Sequence, residues 1–274
     1  MKHINLKIPE HSYFFGFAQS DGNLNRPYIN RNKGRFCIEL GKEDFHILKS
    51  FQKLFSSVYS GIRKRTRDTN FKKNHTSYSL TICSQEFRDE LIELGLCYGK
   101  KFLNTFPPKE DFRKRDYIRG LIDGDGSVGI TGAGRPFISI TVKSEALKAY
   151  LCDTIEAITG ERKRLGRNKR DNIYNIMVNR ERAQKFIRYL YYPGCLTLKR
   201  KLKHAKEALE WNRPKNLMRI LQKFWEPQED KYILSHSIKE SCRYLERTER
   251  SIKMRLWRLS NNKAKYIKPC LTPV

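Results

Sequence analysis

Two stretches of the chain repeat one order of apolar and polar positions. Residues 13–23 read YFFGFAQSDGN and residues 117–127 read YIRGLIDGDGS, each an apolar run broken by one glycine and closed by an acid and another glycine. A single 104-residue offset carries Gly16 to Gly120, Ser20 to Gly124, Asp21 to Asp125 and Gly22 to Gly126. Each run predicts a buried helix. Further on, RFCIEL (35–40) alternates at Phe36, Ile38 and Leu40, and FISITV (137–142) at Ile138, Ile140 and Val142, the period of half-buried strands. Turn signals precede both, RNKG at 31–34 and TGAGRP at 131–136, so each is expected to be the second strand of a hairpin.

The parallel continues. Helical stretches KEDFHILKSFQKLFSSV and SEALKAYLCDTIEAIT are followed by a glycine and a basic strand, GIRKRTRDTN (61–70) and GERKRLGRNKRDN (160–172). Then YSLTIC (78–83) alternates at Tyr78, Leu80 and Ile82, as YNIMV (174–178) does at Tyr174, Ile176 and Val178. A last helix closes each half, with Ser84 and Asn179 as N-cap candidates. Both halves therefore read helix–strand–strand–helix–strand–strand–helix. That order predicts an α+β fold with pseudo-twofold symmetry, its repeats at 10–105 and 112–212.

Glycine inside a helix costs roughly 1 kcal/mol relative to alanine, so Gly120-x3-Gly124 and Gly16-x3-Ser20 need a reason. Each pair lies one turn apart on one helical face, where a second backbone can approach closely. The natural partner of each helix is its duplicate, which brings Asp21 and Asp125 out side by side. Adjacent carboxylates repel unless they are protonated or neutralised, and divalent cations remove the conflict. Metal ions roughly 3.5–4 Å apart also serve in-line displacement at phosphorus. Oxygen-only ligands favour Mg²⁺.

FFGFAQSDG (14–22) and IRGLIDGDG (118–126) resemble the two motifs of single-chain LAGLIDADG homing endonucleases. The second is close to the family pattern; the first carries Gln19 where an acid is frequent and Ser20 at the small position. The resemblance spans roughly residues 10 to 212, since the order of elements also fits that family's αββαββα repeat, which forms a DNA-binding saddle. It implies that Asp21 and Asp125 are the catalytic metal ligands, that the carbonyls of Ser20 and Gly124 help hold the ions, and that Gln19 and Asp123 are not catalytic. Mg²⁺ is the expected cofactor, with Mn²⁺ as a substitute. The family also places a basic residue near each active site, after the last strand and helix of each half. CLTLKRK points to Lys199, and LCYGKKF to Lys100 with Lys101 as competitor. One active site per strand, staggered double-strand cleavage across a compressed minor groove and a metal-bound water as base follow from the same resemblance.

Charge fits such a partner. Lys and Arg number 56 against 29 Asp and Glu, a formal net charge of +27, which points to a polyanion. The halves differ, so the target is expected to be a long, only approximately palindromic DNA duplex, bound by a monomer. The outer sheet faces leave Arg35, Cys37, Glu39, Ser79 and Thr81 in one half, and Ser139, Thr141, Asn175 and Met177 in the other, for base edges. The basic segments add Arg63, Lys64, Arg65 and Arg67, and Arg162, Lys163, Arg164, Arg167, Lys169 and Arg170, for phosphates or guanines. No run of about 18 apolar residues exists, so no membrane span is expected, and the amino terminus does not read as a signal peptide. Seven cysteines without a CxxC pair read as small buried hydrophobes of a reducing intracellular compartment, cytoplasm or organelle matrix. Scattered histidines leave no zinc spacing.

Past WNRPKNL the repeat ends. Residues 224–262 read as a separate module of three short helices, 227–235, 238–245 and 248–259, the last starting at Thr248 with Ile252, Leu256 and Leu259 on one stripe and Arg250, Lys253, Arg255 and Arg258 outside. Trp225, Glu229–Asp230 and RTERSIKMRLWRL are similar to small Myb-like helix-turn-helix modules, whose last helix would lie in a major groove. The bland alternative is a helical cap on the core. The tail YIKPCLTPV is expected to be peripheral. Three functions compete: a Mg²⁺-dependent site-specific endonuclease, a non-catalytic LAGLIDADG and helix-turn-helix transcription regulator, and an RNA-splicing maturase. Retention of both acids argues against the regulator.

Overall fold

The computed structural model describes residues 2–25, 34–68, 73–98, 105–163, 165–214 and 225–264. The RNKG turn (but for Gly34), Lys100, Lys101, Arg164 and the YIKPCLTPV tail lie outside them. The chain divides into two compact units, residues 1–212 and 213–274.

In the first unit, α1 (Pro9–Ser20), β1 (Gly22–Asn25), β2 (Arg35–Gly41), α2 (Phe45–Leu54), β3 (Ser60–Arg67), β4 (His75–Ile82) and α3 (Gln85–Glu93) form the first repeat. The second runs α4 (Lys114–Asp125), β5 (Gly126–Ile130), β6 (Pro136–Val142), α5 (Glu145–Thr159), β7 (Tyr174–Asn179), α6 (Arg180–Leu190) and α7 (Lys199–Glu210). Two antiparallel sheets result, ordered β1-β2-β4-β3 and β5-β6-β7. The fold is α+β.

Alternation decided which face of each strand is dry. Phe36, Ile38 and Leu80 are fully covered, Ile138, Ile176 and Val178 nearly so, and Cys37, Glu39, Ser79, Thr141, Asn175 and Met177 fall between them on the opposite face. The apolar face packs under α1 and α4. Nine consecutive residues of α1, His11 to Gln19, are buried, because that helix has protein on every side. Phe14 sits at the centre of an aromatic cluster with Phe36, Phe51, Phe55 and Phe87. Ile4 and Leu6, ahead of the first motif, also belong to this core, and Glu90 of α3 anchors them through the backbone N–H groups of His3 and Ile4.

Three expectations are corrected. The basic strand of the second half does not form: 161–163 and 165–173 are irregular, whereas β3 pairs with β4 along eight residues. Local bonds consume the backbone groups that a strand would offer to β7. The Asn168 N–H donates to the Ile173 carbonyl, and the Asn172 N–H to the Asn168 carbonyl, with Asn172 itself at φ +54°. Asn179 precedes α6 but makes no side-chain cap bond, since the chain enters that helix through Arg180 at φ +59°; Ser84 does cap α3, accepting from the Phe87 N–H. The cysteines are not uniformly interior. Among the described residues six are free, of which Cys152 is buried and Cys83 exposed.

The second unit holds α8 (Pro227–Ser235), α9 (Ile238–Leu245) and α10 (Glu249–Ser260) around Ile233, Leu245 and Ile252. Ser237 and Thr248 cap α9 and α10, and Glu246 in the left-handed region (φ +50°) turns the chain between them. Arg255, expected on the outer face, is 2% exposed. Its guanidinium forks onto Asp230 at 2.7 and 2.6 Å, because an arginine one turn from Ile252 on an inward stripe must find an anion inside. Arg247 grips Glu229 in the same way and lies over the Trp225 ring. Arg250, Lys253, Met254, Trp257 and Arg258 are exposed on α10. Among the described residues, no helix is long and apolar enough to cross a membrane.

Candidate active site

The site is built on the α1–α4 seam. A Cβ placed on Gly16 would lie 2.1 Å from the Tyr117 carbonyl oxygen, and one on Gly120 2.2 Å from that of Tyr13. Tyr13 and Tyr117 are themselves 104 residues apart, so the seam obeys the internal symmetry. At its far end a Cβ on Gly124 would meet the Ser20 Cβ at 2.3 Å and the Asp21 Oδ2 at 3.6 Å. The Ser20 side chain explains Gly124, and close approach of the two backbones explains Gly16 and Gly120. It also sets the Asp21 carboxylate beside the residue that precedes Asp125.

Asp21 caps α1 and leads into β1; Asp125 ends α4 and leads into β5. Both are exposed, and Ser20 and Gly124 are half-buried. Two helices thus end together; the capping N–H groups take the Phe17, Ala18 and Ile122 carbonyls, and the last carbonyls of each helix, beyond those, have no N–H of their own helix to accept from. The negative ends of both macrodipoles add to the two carboxylates, which favours cations. Asp125 also lines a crevice of about 50 Å³ with Gln19, Ser20, Thr141 and Lys143. No group of three or more His, Cys, Asp or Glu side chains that could hold a metal is found among the described residues. The groups that could meet a cation at this end are the two carboxylates and the neighbouring backbone carbonyls, all oxygen donors.

Residues beneath the acids fix the helix ends. Asp123, fully buried, accepts from the Tyr13, Tyr191 and Thr197 hydroxyls and the Leu198 N–H at 2.7–2.9 Å. Gln19, its counterpart, accepts from the Tyr117 hydroxyl and donates to the Phe106 carbonyl. Burial, and then the Asp123 carboxylate, holds the Tyr13 and Tyr191 phenols well above their usual range, so both remain donors. Gln19 thus anchors the segment after the first repeat, and Asp123 the segment between α6 and α7.

Lys199 starts α7 exposed. The lysine that α7 carries to the seam is Lys201, 5% exposed, whose Nζ donates to the carbonyls of Ile122, Asp123 and Gly126 at 2.6, 2.6 and 2.9 Å. Burial pushes its ammonium down to about 8, against the pull of the Asp123 and Asp21 carboxylates. Sequence reasoning passed over Lys201, although a signal existed: it shares the buried stripe of α7 with Ala205 and Ala208.

The outer faces carry the expected polar sets in register. Asn23, Cys37, Thr81 and Gly61 align across the first sheet, as do Glu39, Ser79 and Arg63. Ser127, Ser139 and Met177 align across the second. Arg35, Arg63, Arg65 and Arg67 are exposed, the last two near Glu39 at 4.0 and 3.5 Å. Thr141 donates to Asn175. In the loop that replaces the missing strand, Arg162 faces Glu156, Arg167 lies over the Tyr174 ring, and Arg170 pairs with Asp171. On α10, Arg250 is exposed and Lys253 pairs with Glu249.

No family model matches the chain, and no curated protein matches it. Among solved structures it is similar to the homing endonuclease I-WcaI bound to its DNA recognition sequence, with a TM-score of 0.49 and 9% identity over 72% of this chain and 87% of that one. A point variant of I-SmaMI gives 0.47 and 15% over 74% and 91%. The I-LtrWI LAGLIDADG homing endonuclease bound to target DNA gives 0.44 and 12% over 72% and 87%.

Proposed function

We propose that this chain is a site-specific endonuclease that hydrolyses both strands of double-stranded DNA with divalent cations. The observation that carries the reading is the convergence of Asp21 and Asp125, from duplicated helices, at the shared end of a glycine-lined seam. Each acid also opens a sheet whose outer face is polar and, in the first half, rimmed by Arg63, Arg65 and Arg67. A duplex lying across both faces would bring its phosphates to the acids.

Mg²⁺, or Mn²⁺ in its place, would be held by Asp21, Asp125 and the carbonyls beside them, and would supply Lewis acidity and an activated water. The protein's own part is placement. The seam fixes the spacing of the acids, Asp123 and Gln19 hold the helix ends, and Lys201 keeps a cation at the end of α4. One chain supplies both acids, so it acts as a monomer. Because the sheets differ, the two half-sites differ, and the target is long and only approximately palindromic. Arg250, Lys253, Trp257 and Arg258 on α10 are the candidates for extra contacts by a Myb-like module.

The test is selection of cleavable sites from a randomised duplex library with Mg²⁺, followed by Asp21→Asn and Asp125→Asn on the recovered target. Binding should survive and double-strand cleavage vanish. Sequence-specific binding with no cleavage by the wild-type chain would make it a regulator instead. Splicing of an intron RNA without DNA cleavage would make it a maturase.

A further inference from the structure

A second basic site lies away from the acids, at the far end of the second sheet. The β5–β6 turn, the residues after α5 and the start of α6 enclose a groove of about 480 Å³ lined by Thr131, Arg135, Glu161, Lys163, Arg180 and Arg182, among others. Four cations face one carboxylate there. Glu161 is spent on two of them, Lys163 at 2.9 Å and Arg182 at 3.0 Å. Arg135 lines the groove half-buried and makes no ion pair among the described residues. Arg180 likewise makes no ion pair among the described residues, and it enters α6 at φ +59°.

We propose that this groove binds a phosphate group, supplied by the backbone of the bound duplex. The chemistry is that of guanidinium forks, which match phosphate oxygens in pairs. The position suits the backbone, because β5 runs from Gly126, next to Asp125, to Ile130 at the turn. At about 3.3 Å per residue its four steps span roughly 13 Å, so the groove flanks the acids at the distance of a phosphate a few base pairs from the cut. Asn179, exposed at the end of β7, also lines it, which makes the groove continuous with the outer face. None of Arg135, Arg180 and Arg182 stood out in the sequence.

The identity of the phosphate source rests on the endonuclease reading; the groove's affinity for phosphate does not. Two measurements on the full chain separate them. Thermal melting with inorganic phosphate, against chloride at equal ionic strength, reads the groove directly. Wild type should gain stability, and Arg180→Gly and Arg135→Gln should gain less. Glycine accepts positive φ, so Arg180→Gly should melt no lower than wild type without phosphate, which separates loss of the site from loss of the fold. DNA affinity across a salt series reads the source. Each variant should flatten the log–log slope by about 0.9, the value of one phosphate contact, and weaken target and random duplex equally. Equal phosphate response in all three proteins overturns the site. A variant that loses the phosphate response yet keeps the DNA salt slope overturns the duplex as its source. Loss of the phosphate response in a protein whose wild type binds no DNA leaves the groove standing and removes the endonuclease reading.

Discussion

Adding one methyl group at the seam separates the tight-packing argument from helix propensity. In Gly120→Ala, propensity alone predicts a gain of about 1 kcal/mol. The new Cβ, however, would sit 2.2 Å from the Tyr13 carbonyl oxygen and 2.8 Å from the Phe17 nitrogen. Both are backbone atoms of a helix buried on every side, so neither can rotate away. Overpacking of this kind costs about 1–3 kcal/mol, and two backbone clashes put the cost near the top of that range. The net loss is about 2 kcal/mol, a fall in Tm of roughly 4–8 °C for a unit of this size. Gly124→Ala acts further down the seam, where its Cβ meets the Ser20 Cβ at 2.3 Å against an ordinary carbon–carbon separation of about 3.5–4.0 Å. Relief by more than 1 Å must move Ser20 and Asp21 away from α4. A misplacement of that size can lower a rate by about 10²-fold. Ser20→Gly removes the opposing Cβ, so the double variant Ser20→Gly/Gly124→Ala should recover most of the loss. Calorimetry and cleavage kinetics on the four proteins of that cycle give the coupling. A rise in Tm for Gly120→Ala, or strict additivity between Ser20→Gly and Gly124→Ala, would refute the close-contact reasoning.

The same sites carry three further expectations. Asp123→Ala strands three hydroxyls and one N–H and should cost at least about 3 kcal/mol, whereas Asp21→Asn and Asp125→Asn should melt within about 0.5 kcal/mol of wild type while abolishing cleavage; denaturant titration beside the cleavage assay checks both. Burial pushes the Lys201 ammonium down from its ordinary 10.5 to about 8, so between those values the unfolded chain binds more protons and this lysine's contribution to stability rises with pH. Stability of wild type relative to Lys201→Met should therefore increase by about 3 kcal/mol from pH 8 to pH 10.5, and a flat difference refutes the buried-cation assignment. Arg255→Ala leaves Asp230 charged and buried, a loss of about 3–5 kcal/mol that exceeds what a small three-helix unit can spare. Limited proteolysis of the full chain should then cut within residues 225–264, while Arg250→Ala stays resistant.

Much of the architecture was legible because it rests on period and repetition. Phe36, Ile38 and Leu40, and Ile138, Ile140 and Val142, alternate without interruption, and all six are buried on their sheets' inner faces. The offset between the motifs predicted which helices would pair, and the Gly16–Tyr117 and Gly120–Tyr13 contacts obey it. Failure came where charge density stood in for pattern. In β3, Ile62 packs against the core while Arg63, Arg65 and Arg67 fall on the other face. The matching segment of the second half has Gly166 in its middle and NKRDN after it, residues that close turns on themselves. Basic composition is shared by both segments; strand pairing is not.

The candidate site divides along a similar line. Acids that must be exposed sit at motif ends, where spacing alone places them. The supporting groups come from positions with no fixed relation to the motifs: Tyr191 and Thr197 ahead of α7, and Lys201 inside it. Their roles depend on how α7 returns to the end of α4, a tertiary event that local pattern does not encode. Lys199 was chosen from its place in a stretch, but two residues along a helix turn a side chain by about 200°, enough to exchange solvent for the seam. Arg255 repeats the lesson in the second unit. A cation on the apolar stripe of a helix is better read as a buried donor awaiting its acceptors, carbonyls for Lys201 and a carboxylate for Arg255, than as a surface charge, and the stripe in both helices is visible in the sequence.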